Sequence, residues 1–357
     1  MSDTSDVTGS VTDVRARFDE AALTAYLKDK LPGSGELRIR QFEGGQSNPT
    51  YLVETGAERW VLRKKPAGDL LPSAHMVERE YQVLNALQGS GVPVPAVPVF
   101  CEDPSIVGTP FFVMEYVHGR VIADPSLRDG FTPRERAATY ASAIDTLAKL
   151  HRFDWAGHGL ATFGKPDNYV ERQLARWSKQ YSASKSRDLP AMEFLIEWLP
   201  ANIGVVTKTK PGAGIAHGDY RLGNLILHPT EPRVIALLDW ELSTIGDPLT
   251  DLAYFMYPYY MSSNEAGLRG MAGLDLDALG IPPQRAVVEQ YAALRGITAP
   301  TEEEMSFYVA FSIFRLAAIL VGIDSRVRQG NASSDSAKTV AAQAETFANV
   351  GRRVAEG

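Results

Sequence analysis

The sequence predicts an α+β protein with two unequal lobes, a small sheet-rich lobe at about residues 30–117 and a larger, mainly helical lobe at 118–357. Two observations predict this division. Between Leu37 and Lys65, apolar and polar residues alternate around short glycine-containing breaks, which is typical of an antiparallel meander. After His118, apolar residues recur instead at helical spacing. The cleft between two such lobes is the expected binding site.

The elements of the first lobe follow in order. Residues 1–29 are predicted to form a flexible tail and an N-terminal helix, and three strands then occupy Leu37–Lys65. A helix is predicted over Ser73–Leu87, where apolar residues recur every three or four positions. Glu80 lies on the inward face of this helix, so the sequence requires a cation on a neighbouring strand. A last strand is predicted to end the lobe near Val117.

The second lobe is predicted to be helical apart from one strand-rich insert. Its first helix begins at the capping box Thr132–Glu135, with a proline at the first helical position, and runs to His151. The insert spans Ile215–Asp239. The most apolar stretch, Val309–Ile323, covers only 15 residues and contains Arg315, so we expect a buried helix and no membrane partner.

Composition excludes several classes of protein. The chain has 45% hydrophobic and 22% charged residues, which is ordinary for a globular protein and unlike a disordered one. Its formal net charge of −7 provides no general attraction for nucleic acid, which is therefore not an expected partner. The single cysteine, Cys101, cannot form an internal disulfide, which favours a cytoplasmic location.

A motif in the insert points to phosphoryl transfer. Asp219 is followed five residues later by Asn224, and Asp239 comes fifteen residues further on, at the end of an apolar strand. This spacing matches the catalytic loop and metal-binding aspartate of kinases. A carboxylate at Asp219 would orient an acceptor hydroxyl and accept its proton. Magnesium prefers oxygen ligands, which Asn224 and Asp239 would provide beside those of the nucleotide phosphates.

Polar residues near this motif are predicted to have structural roles. His217 is predicted to be a hydrogen-bonding residue inside the loop, and Asp251 an internal acceptor for N–H groups of the loop. Asp247 is predicted to cap the helix that begins at Pro248. This helix starts only eight residues after Asp239, which leaves no room for an activation loop and favours a small acceptor over a protein. For Glu241, a metal-binding role and a salt bridge both remain open.

With these motifs, the chain resembles the aminoglycoside phosphotransferase superfamily over about residues 30–350. The phrases Gly44-Gly-Gln-Ser-Asn48, Arg79-Glu-Tyr81 and Asp247-Pro-Leu-Thr-Asp251 are similar to the branch fused to acyl-CoA dehydrogenases. The resemblance implies a protein-kinase-like two-lobe fold and an ATP- and Mg²⁺-dependent transferase that phosphorylates a hydroxyl group of a small molecule. It also implies a hydroxyacyl-CoA as a candidate acceptor, and a fused or neighbouring acyl-CoA dehydrogenase function as a candidate partner.

The resemblance also assigns nucleotide-binding residues. It places the phosphate-covering loop at Gly44, Gly45, Gln46, Ser47 and Asn48. It pairs a phosphate-binding cation on the third strand with Glu80; strand alternation favours Arg63, while Lys64 and Lys65 leave the register open. The backbone of the lobe-connecting hinge, around Glu115 and Val117, is expected to bind adenine.

Three questions remain open at this stage. Arg315 and Arg326 are candidate residues for an anionic acceptor, and internal salt bridges are the alternative. The acceptor could instead be an aminoglycoside antibiotic, although the C-terminal helices show no obvious acidic cluster after Glu304. A nucleotide-binding regulatory protein without turnover is the alternative from another class, which the intact set of Asp219, Asn224 and Asp239 disfavours.

Overall fold

The computed structural model describes residues 11–12, 14, 18–32, 37–42, 48–67, 76–207, 212–263, 269–329 and 342–357. The chain divides into two compact units. The sheet unit comprises Met1–Val121, Ala156–Leu160 and Asn224–Ser243, and the helical unit comprises Ile122–Trp155, Ala161–Gly223 and Thr244–Gly357.

Strands predominate in the first part of the chain and helices in the second, as the sequence predicts. The described strands are β1 (Val11–Thr12), β2 (Leu37–Phe42), β3 (Thr50–Thr55), β4 (Glu58–Lys64), β5 (Val99–Cys101), β6 (Phe111–Glu115), β7 (Arg120–Val121), β8 (Gly214–Ala216), β9 (Leu225–Leu227), β10 (Val234–Leu237) and β11 (Thr244–Gly246). The described α-helices are α1 (Glu20–Leu27), α2 (Val77–Ala86), α3 (Pro104–Val107), α4 (Pro133–Arg152), α5 (Tyr169–Ser184), α6 (Pro190–Asn202), α7 (Gly204–Thr207), α8 (Leu249–Met256), α9 (Leu276–Leu279), α10 (Gln284–Arg295), α11 (Glu302–Arg328) and α12 (Ala344–Glu356).

The sheet unit is built on an antiparallel sheet in the order β1-β2-β3-β4-β6-β5. The predicted meander is confirmed as β2, β3 and β4. A tight turn joins β3 to β4, and Gly56 occupies its left-handed position with φ 62°. The inner face of the sheet packs on α1 through an apolar cluster that includes Leu23, Tyr51, Leu62 and Phe111.

Two predictions for the N-terminal lobe need adjustment. Val11 and Thr12 were expected in a flexible tail, but they form a strand that pairs with Phe42 and Gln41 of β2. The other predicted tail residues from 1 to 10 lie outside the described residues. The helix expected to begin at Ser73 is described from Val77, and residues 73–75 also lie outside the described part.

The unit boundary differs from the expected break at residue 118. The segment Asn224–Ser243, predicted as part of the C-terminal lobe, groups with the sheet unit. Arg120 and Val121 of β7 pair with Leu227 and Ile226 of β9, and β9 pairs with β10, which gives a second sheet in the order β10-β9-β7. These ladders tie the segment to the end of the sheet unit.

The helical unit packs around α11, which contacts α5, α6, α8 and α12. Within the described residues, α11 alone is long and apolar enough to cross a membrane, but 72% of its most apolar window is buried inside the protein. It is therefore the core helix that the sequence predicts. The capping box of α4 forms as predicted: Glu135 N donates to Thr132 Oγ1 at 3.3 Å, and Thr132 N donates to Glu135 Oε2 at 2.8 Å.

Candidate active site

The predicted catalytic loop of the helical unit follows directly after β8. Gly218 has φ 85°, a conformation that side chains disfavour, and this turns the chain sharply before Asp219. The turn exposes two backbone amides on its inner side, and Asp251 at the start of α8 accepts both. His217 N donates to Asp251 Oδ2 at 2.6 Å, and Gly218 N donates to Oδ1 at 2.8 Å. The predicted role of Asp251 as acceptor for the loop is thus present in the structure.

Behind the loop, Asp251 meets two further buried side chains. His151 at the end of α4 places Nε2 3.2 Å from Asp251 Oδ2, and the hydroxyl of Tyr291 lies 2.7 Å from His151 Nδ1. Burial lowers the pKa of His151, while hydrogen bonds from His151 and from the backbone N–H of Gly218 hold the pKa of Asp251 below its usual value despite burial. The partners therefore assign a neutral ring that accepts from Tyr291 and donates to Asp251. We call Asp251, His151 and Tyr291 the Asp251 network.

Asp219 itself projects from the loop with its side chain about 18% exposed. Its backbone N donates to His217 Nδ1 at 3.2 Å, so His217 has the structural role that the sequence predicts. One carboxylate oxygen, Oδ2, lies 3.3 Å from Nε of Arg221. Neighbouring Tyr254 has a pKa raised well above its usual value, first by burial and then by the charge of Asp219. Asp219 is thus a partly accessible carboxylate with one cationic neighbour.

Arg315 lies in the buried helix that the sequence predicts. Its side chain is buried in the middle of α11, where Nη2 donates to the carbonyl of Gly218 and the guanidinium lies 5.1 Å from the centre of the Tyr254 ring. A buried guanidinium requires acceptors, and here the backbone of the catalytic loop provides one. Of the two interpretations left open for Arg315, this contact favours internal pairing that supports the loop, and the anion-binding role stays a prediction.

Arg326 lies in the last turn of α11, where it is exposed to solvent. This helix ends at Arg328, five residues beyond the apolar stretch that ends at Ile323. Nothing in its described surroundings supports the anion-binding role that was considered for it.

In the sheet unit, Arg63 of β4 and Glu80 of α2 form the ion pair that the inward position of Glu80 requires. Nε of Arg63 lies 3.1 Å from Glu80 Oε2, a charge contact in which Nε makes no directed hydrogen bond to a described residue. The second oxygen, Glu80 Oε1, accepts from Asn48 Nδ2 at 2.7 Å. Asn48 was predicted in the phosphate-covering loop, and here its amide orients the partner of Arg63.

The same guanidinium faces two more carboxylates. Nη2 of Arg63 lies 3.3 Å from Asp239 Oδ1 and 3.6 Å from Glu241 Oε2. Glu241 therefore takes part in a salt bridge, one of its two open interpretations. We call Arg63, Glu80, Asp239 and Glu241 the Arg63 cluster. Burial and the negative charges of Asp239 and Glu241 raise the pKa of Glu80 to about 7, because together they outweigh the lowering effect of the positive charge on Arg63.

The structure also settles which basic residue of β4 faces this cluster. Lys64 points to the opposite face, where its buried Nζ donates to the carbonyl of Val107 and lies 5.2 Å from the centre of the Phe18 ring. Burial lowers its pKa. Lys65 lies beyond the last residue of the strand, with its backbone N donating to Pro110 O. Arg63, which strand alternation favoured, is the residue that meets Glu80 and Asp239.

The two predicted metal ligands lie at one end of the β9–β10 ladder. Leu225 pairs with Leu237, and the next amide, Leu238 N, donates to Asn224 O at 2.9 Å, so Asn224 lies beside the residue that precedes Asp239. Asp239 has φ 67°, a strained conformation for a residue with a side chain, which is common at functional sites. An amide and a carboxylate here supply the oxygen ligands that magnesium prefers.

This donor set suits a hard cation that takes most of its ligands from elsewhere. In the part of the chain that the structure describes, no group of three or more His, Cys, Asp or Glu side chains is arranged to hold a metal ion by itself. Magnesium commonly keeps several waters and binds through one or two protein oxygens together with substrate phosphates. Asn224 and Asp239 therefore fit magnesium bound with a nucleotide, and they do not fit an all-protein metal centre.

The remaining predicted nucleotide-binding residues are only partly described. Gly44, Gly45, Gln46 and Ser47 lie outside the described residues. Glu115 ends β6, where its backbone N donates to Ala96 O at 2.8 Å. The amide of Glu115 is therefore bonded within the chain. Val117 follows the strand and is partly buried. The hinge role of these two residues stays a prediction.

Sequence reasoning missed two groups of residues at this site. Arg221 was not considered, although it lies two residues after Asp219 in the same loop, and this proximity was the available signal. His151 and Tyr291 were missed because each belongs to a different helix and is more than 30 residues from Asp251. Only the packing of α4, α8 and α10 reveals their contact.

Comparison with known proteins identifies the family. The model of the APH family, described as the phosphotransferase enzyme family, matches residues 38–296. The chain belongs to this family. The structure of a Ralstonia eutropha JMP134 protein, described provisionally as an aminoglycoside phosphotransferase, is 42% identical and superimposes with a TM-score of 0.84 over 95% of this chain and 99% of that one. A choline kinase from Cryptosporidium parvum, 12% identical with a TM-score of 0.64 over 94% of this chain and 96% of that one, shares the protein-kinase-like fold.

Curated relatives of this phosphotransferase family member are longer proteins. Acyl-CoA dehydrogenase family member 10 of Mus musculus is 44% identical over 92% of this chain and 30% of its own length. Acyl-CoA dehydrogenase family member 11 of Rattus norvegicus is 41% identical over 98% of this chain and 45% of its own length. The chain thus spans less than half the length of these relatives. It has the fold and family of a small-molecule kinase-type phosphotransferase.

Proposed function

We propose that the protein is an ATP- and Mg²⁺-dependent kinase that transfers a phosphoryl group to a hydroxyl group of a small molecule. The observation that carries this proposal is the Arg63 cluster. A guanidinium held by buried Glu80 lies 3.3 Å from Asp239, and this contact supports Arg63 as the phosphate-binding cation and Asp239 as a metal-binding carboxylate. Phosphoryl transfer depends mainly on such positioning and charge stabilisation, because the protein has little covalent chemistry to perform.

Each residue has a stated part in this proposal. Arg63 binds the nucleotide phosphates and is oriented by Glu80, which in turn is held by Asn48. Asn224 and Asp239 hold magnesium, which when bound neutralises charge on the phosphate oxygens. Asp219 accepts a hydrogen bond from the acceptor hydroxyl and receives its proton as the hydroxyl oxygen bonds to the γ-phosphorus of ATP. The bond from that phosphorus to the oxygen bridging it to the β-phosphate breaks in the same transfer, and ADP leaves. The Asp251 network and Arg315 fix the backbone on both sides of Asp219.

The acceptor that we propose to test first is a hydroxyacyl-CoA. The relatives named as acyl-CoA dehydrogenases support this choice, since they join a region like this chain to further sequence. A neighbouring dehydrogenase function and a cytoplasmic location belong to the same proposal. An aminoglycoside acceptor and nucleotide binding without turnover are the competing outcomes.

The test measures acceptor-dependent ADP release from ATP in the presence of Mg²⁺. The acceptors are a hydroxyacyl-CoA, choline, a sugar and an aminoglycoside. Asp219→Asn is expected to lower kcat by about 100-fold or more, the usual loss for a positioned acid–base group, while nucleotide binding measured by calorimetry persists. Asp145→Asn is the matched control, because Asp145 is a partly exposed carboxylate of α4 paired with Lys149.

Four results would each contradict a different part of the proposal. ADP release that survives Asp219→Asn would remove the assigned role of Asp219. Nucleotide binding that is unaffected by Mg²⁺ and by Asp239→Asn would remove the metal site. Nucleotide binding without release of ADP for any acceptor would favour a regulatory protein, whereas release with the aminoglycoside alone would favour an antibiotic kinase.

A further inference from the structure

A cavity of about 440 Å³ opens in the helical unit beside the catalytic loop. The loop residues Arg221, Leu222 and Gly223 form one wall of this cavity. Arg221 also contacts the carboxylate of Asp219, so the cavity begins one side chain away from the proposed catalytic group. A volume of this size accommodates a small organic molecule.

The charge of the cavity is positive among the residues that the structure describes. Arg221 and Arg269 both line it, and none of its described lining residues is acidic. Asp219 offsets the charge of Arg221, which lies 3.3 Å away, so Arg269 supplies the excess positive charge. Arg269 is exposed and carries a planar guanidinium, which suits recognition of a carboxylate or phosphate group.

Part of the cavity lining is apolar. Phe255 and Phe347 line it, and both are at least 93% removed from solvent in the folded chain. The ring of Tyr257 lies 6.1 Å from that of Phe347, which extends the apolar wall. Contact with such a wall favours a hydrocarbon part of a ligand by about 25 cal/mol for each Å² of apolar surface removed from water.

Gly223 fixes where Arg221 lies within the cavity. A Cβ atom at this position would come within 2.5 Å of Arg221 Nη1, so the guanidinium packs directly over the glycine. Arg221 therefore both lines the cavity and contacts the proposed catalytic carboxylate of Asp219.

From these observations we infer that the cavity binds the acceptor, and that Arg269 and the Phe255–Phe347 wall select an acceptor with an anionic group and a hydrocarbon part. This inference rests on the proposed function for the identity of the ligand as an acceptor. The anionic group is a carboxylate or the phosphate of an attached carrier. A polycationic acceptor is disfavoured, because it would meet Arg221 and Arg269 with no described acidic partner in the lining.

Aromatic walls also suit quaternary ammonium ligands, so cation binding is the competing reading of the same cavity. The two readings predict opposite effects of head-group charge. We therefore compare 6-hydroxyhexanoate, 6-hydroxyhexanamide and 6-aminohexan-1-ol, which share a six-carbon chain and a hydroxyl group and carry a negative, zero and positive charge. A fourth probe, 6-hydroxyhexanoyl-CoA, replaces the carboxylate with phosphates on a carrier.

The experiment is a ligand-observed NMR titration of the full chain with each probe, without nucleotide. The hydroxy acid is expected to bind at least tenfold more tightly than the amide, and the amino alcohol more weakly than both. Arg269→Gln is expected to abolish the preference for the acid, and Arg269→Glu to reverse it. Arg352→Gln is the matched control, because Arg352 is an exposed arginine of α12 that pairs with Glu356 outside the cavity.

The outcomes separate this inference from the proposed function. A CoA ester that binds more tightly than the free acid, with the gain lost in Arg269→Gln, would identify the anion as phosphate. Equal binding of acid and amide, tighter binding of the amino alcohol, a preference that survives Arg269→Gln, or binding of no probe would overturn the inference. Binding needs neither ATP nor turnover, so a failure of ADP release with the charge preference intact would count against the proposed function alone.

Discussion

The Asp251 network of the helical unit and the Arg63 cluster of the sheet unit handle buried charge in opposite ways. Asp251 is a single carboxylate that accepts two backbone amides and faces a neutral histidine. Arg63 is a single cation that faces three carboxylates within 3.6 Å. The first arrangement gives one buried charge several donors. The second brings more negative than positive charge into a small volume.

This difference reflects two tasks. A carboxylate supplied with donors fixes the backbone that carries Asp219, which is a structural contribution. Carboxylates in excess of their cation are costly in the folded chain and suit a place where further positive charge binds. Buried and charge-imbalanced groups of this kind are frequent at functional sites. The comparison predicts that substitutions in the network change stability, whereas substitutions in the cluster mainly change binding.

The largest expected effect on stability comes from the centre of the network. Asp251→Ala leaves two buried amides and the ring of His151 without their acceptor, and we expect a loss of about 3 kcal/mol in the free energy of unfolding. Urea unfolding followed by tryptophan fluorescence measures it, with Asp145→Asn as the partly exposed control. A loss below about 1 kcal/mol would show that the loop does not depend on Asp251.

In the Arg63 cluster the corresponding effect should appear in nucleotide binding. Arg63 uses Nε toward Glu80 and Nη2 toward Asp239, and a lysine has only one nitrogen for both partners. We expect Arg63→Lys to weaken Mg²⁺-nucleotide binding about tenfold, which corresponds to roughly 1.4 kcal/mol. Arg59→Lys on the same strand is the control, because Arg59 is exposed and faces Glu54 at 4.0 Å. Equal affinities for both variants would contradict the assignment of Arg63.

The cluster was more predictable from the sequence than the network, for a physical reason. Glu80 lies on the apolar face of a regular helix, so its need for a cation can be read from periodicity alone. Strand alternation then selects Arg63 over Lys64, and the structure agrees. Local periodicity decided both points, and periodicity is what a single sequence displays most directly.

The network and its neighbours depend on packing between distant elements. Tyr291 reaches His151 across 140 positions of sequence, and no local pattern indicates that contact. Arg315 shows the same limit in another form. Its apolar neighbours indicate a buried cation that needs an acceptor, but they do not distinguish a bound anion from the carbonyl of Gly218, which is the acceptor that the structure gives.

The unit boundary was displaced for a related reason. The strand β7 contains only Arg120 and Val121, too few residues to show an alternating pattern. Its pairing with β9 joins segments that are more than 100 residues apart, and this pairing assigns Asn224–Ser243 to the sheet unit. The kinase-like motif indicates Asn224 and Asp239 as candidate residues of this segment, but it does not indicate which unit holds them.

The pH dependence of stability gives a third test of the comparison. In the folded chain, burial lowers the pKa of His151, so the unfolded chain takes up this proton more readily as the pH falls below about 6.5. The network therefore loses stability on acidification. We expect His151→Gln to remove about 1 kcal/mol of the fall in unfolding free energy between pH 7.5 and 5.5, because one proton contributes up to about 1.4 kcal/mol per pH unit. An unchanged slope in urea unfolding would argue for a charged His151.

The smallest change in stability is expected at Glu80, with the opposite pH dependence. The pKa of Glu80 is raised from an ordinary 4.5 to about 7, so the folded chain binds the carboxyl proton more tightly than the unfolded chain does. The stabilisation that protonated Glu80 contributes to the folded chain is lost as the pH rises through 7. Glu80→Gln keeps an acceptor for Asn48 and removes one of three carboxylates around Arg63. At pH 8 we expect the free energy of unfolding of this variant to lie within about 1 kcal/mol of that of the natural chain, since neutralising a buried charge in an imbalanced group costs little.

Urea unfolding at pH 5 and pH 8 measures both the change in unfolding free energy and its dependence on pH. A loss at pH 8 as large as that of Asp251→Ala would mean that the Arg63 cluster holds the fold together in the same way as the network, and the distinction between a supporting site and a binding site would fail.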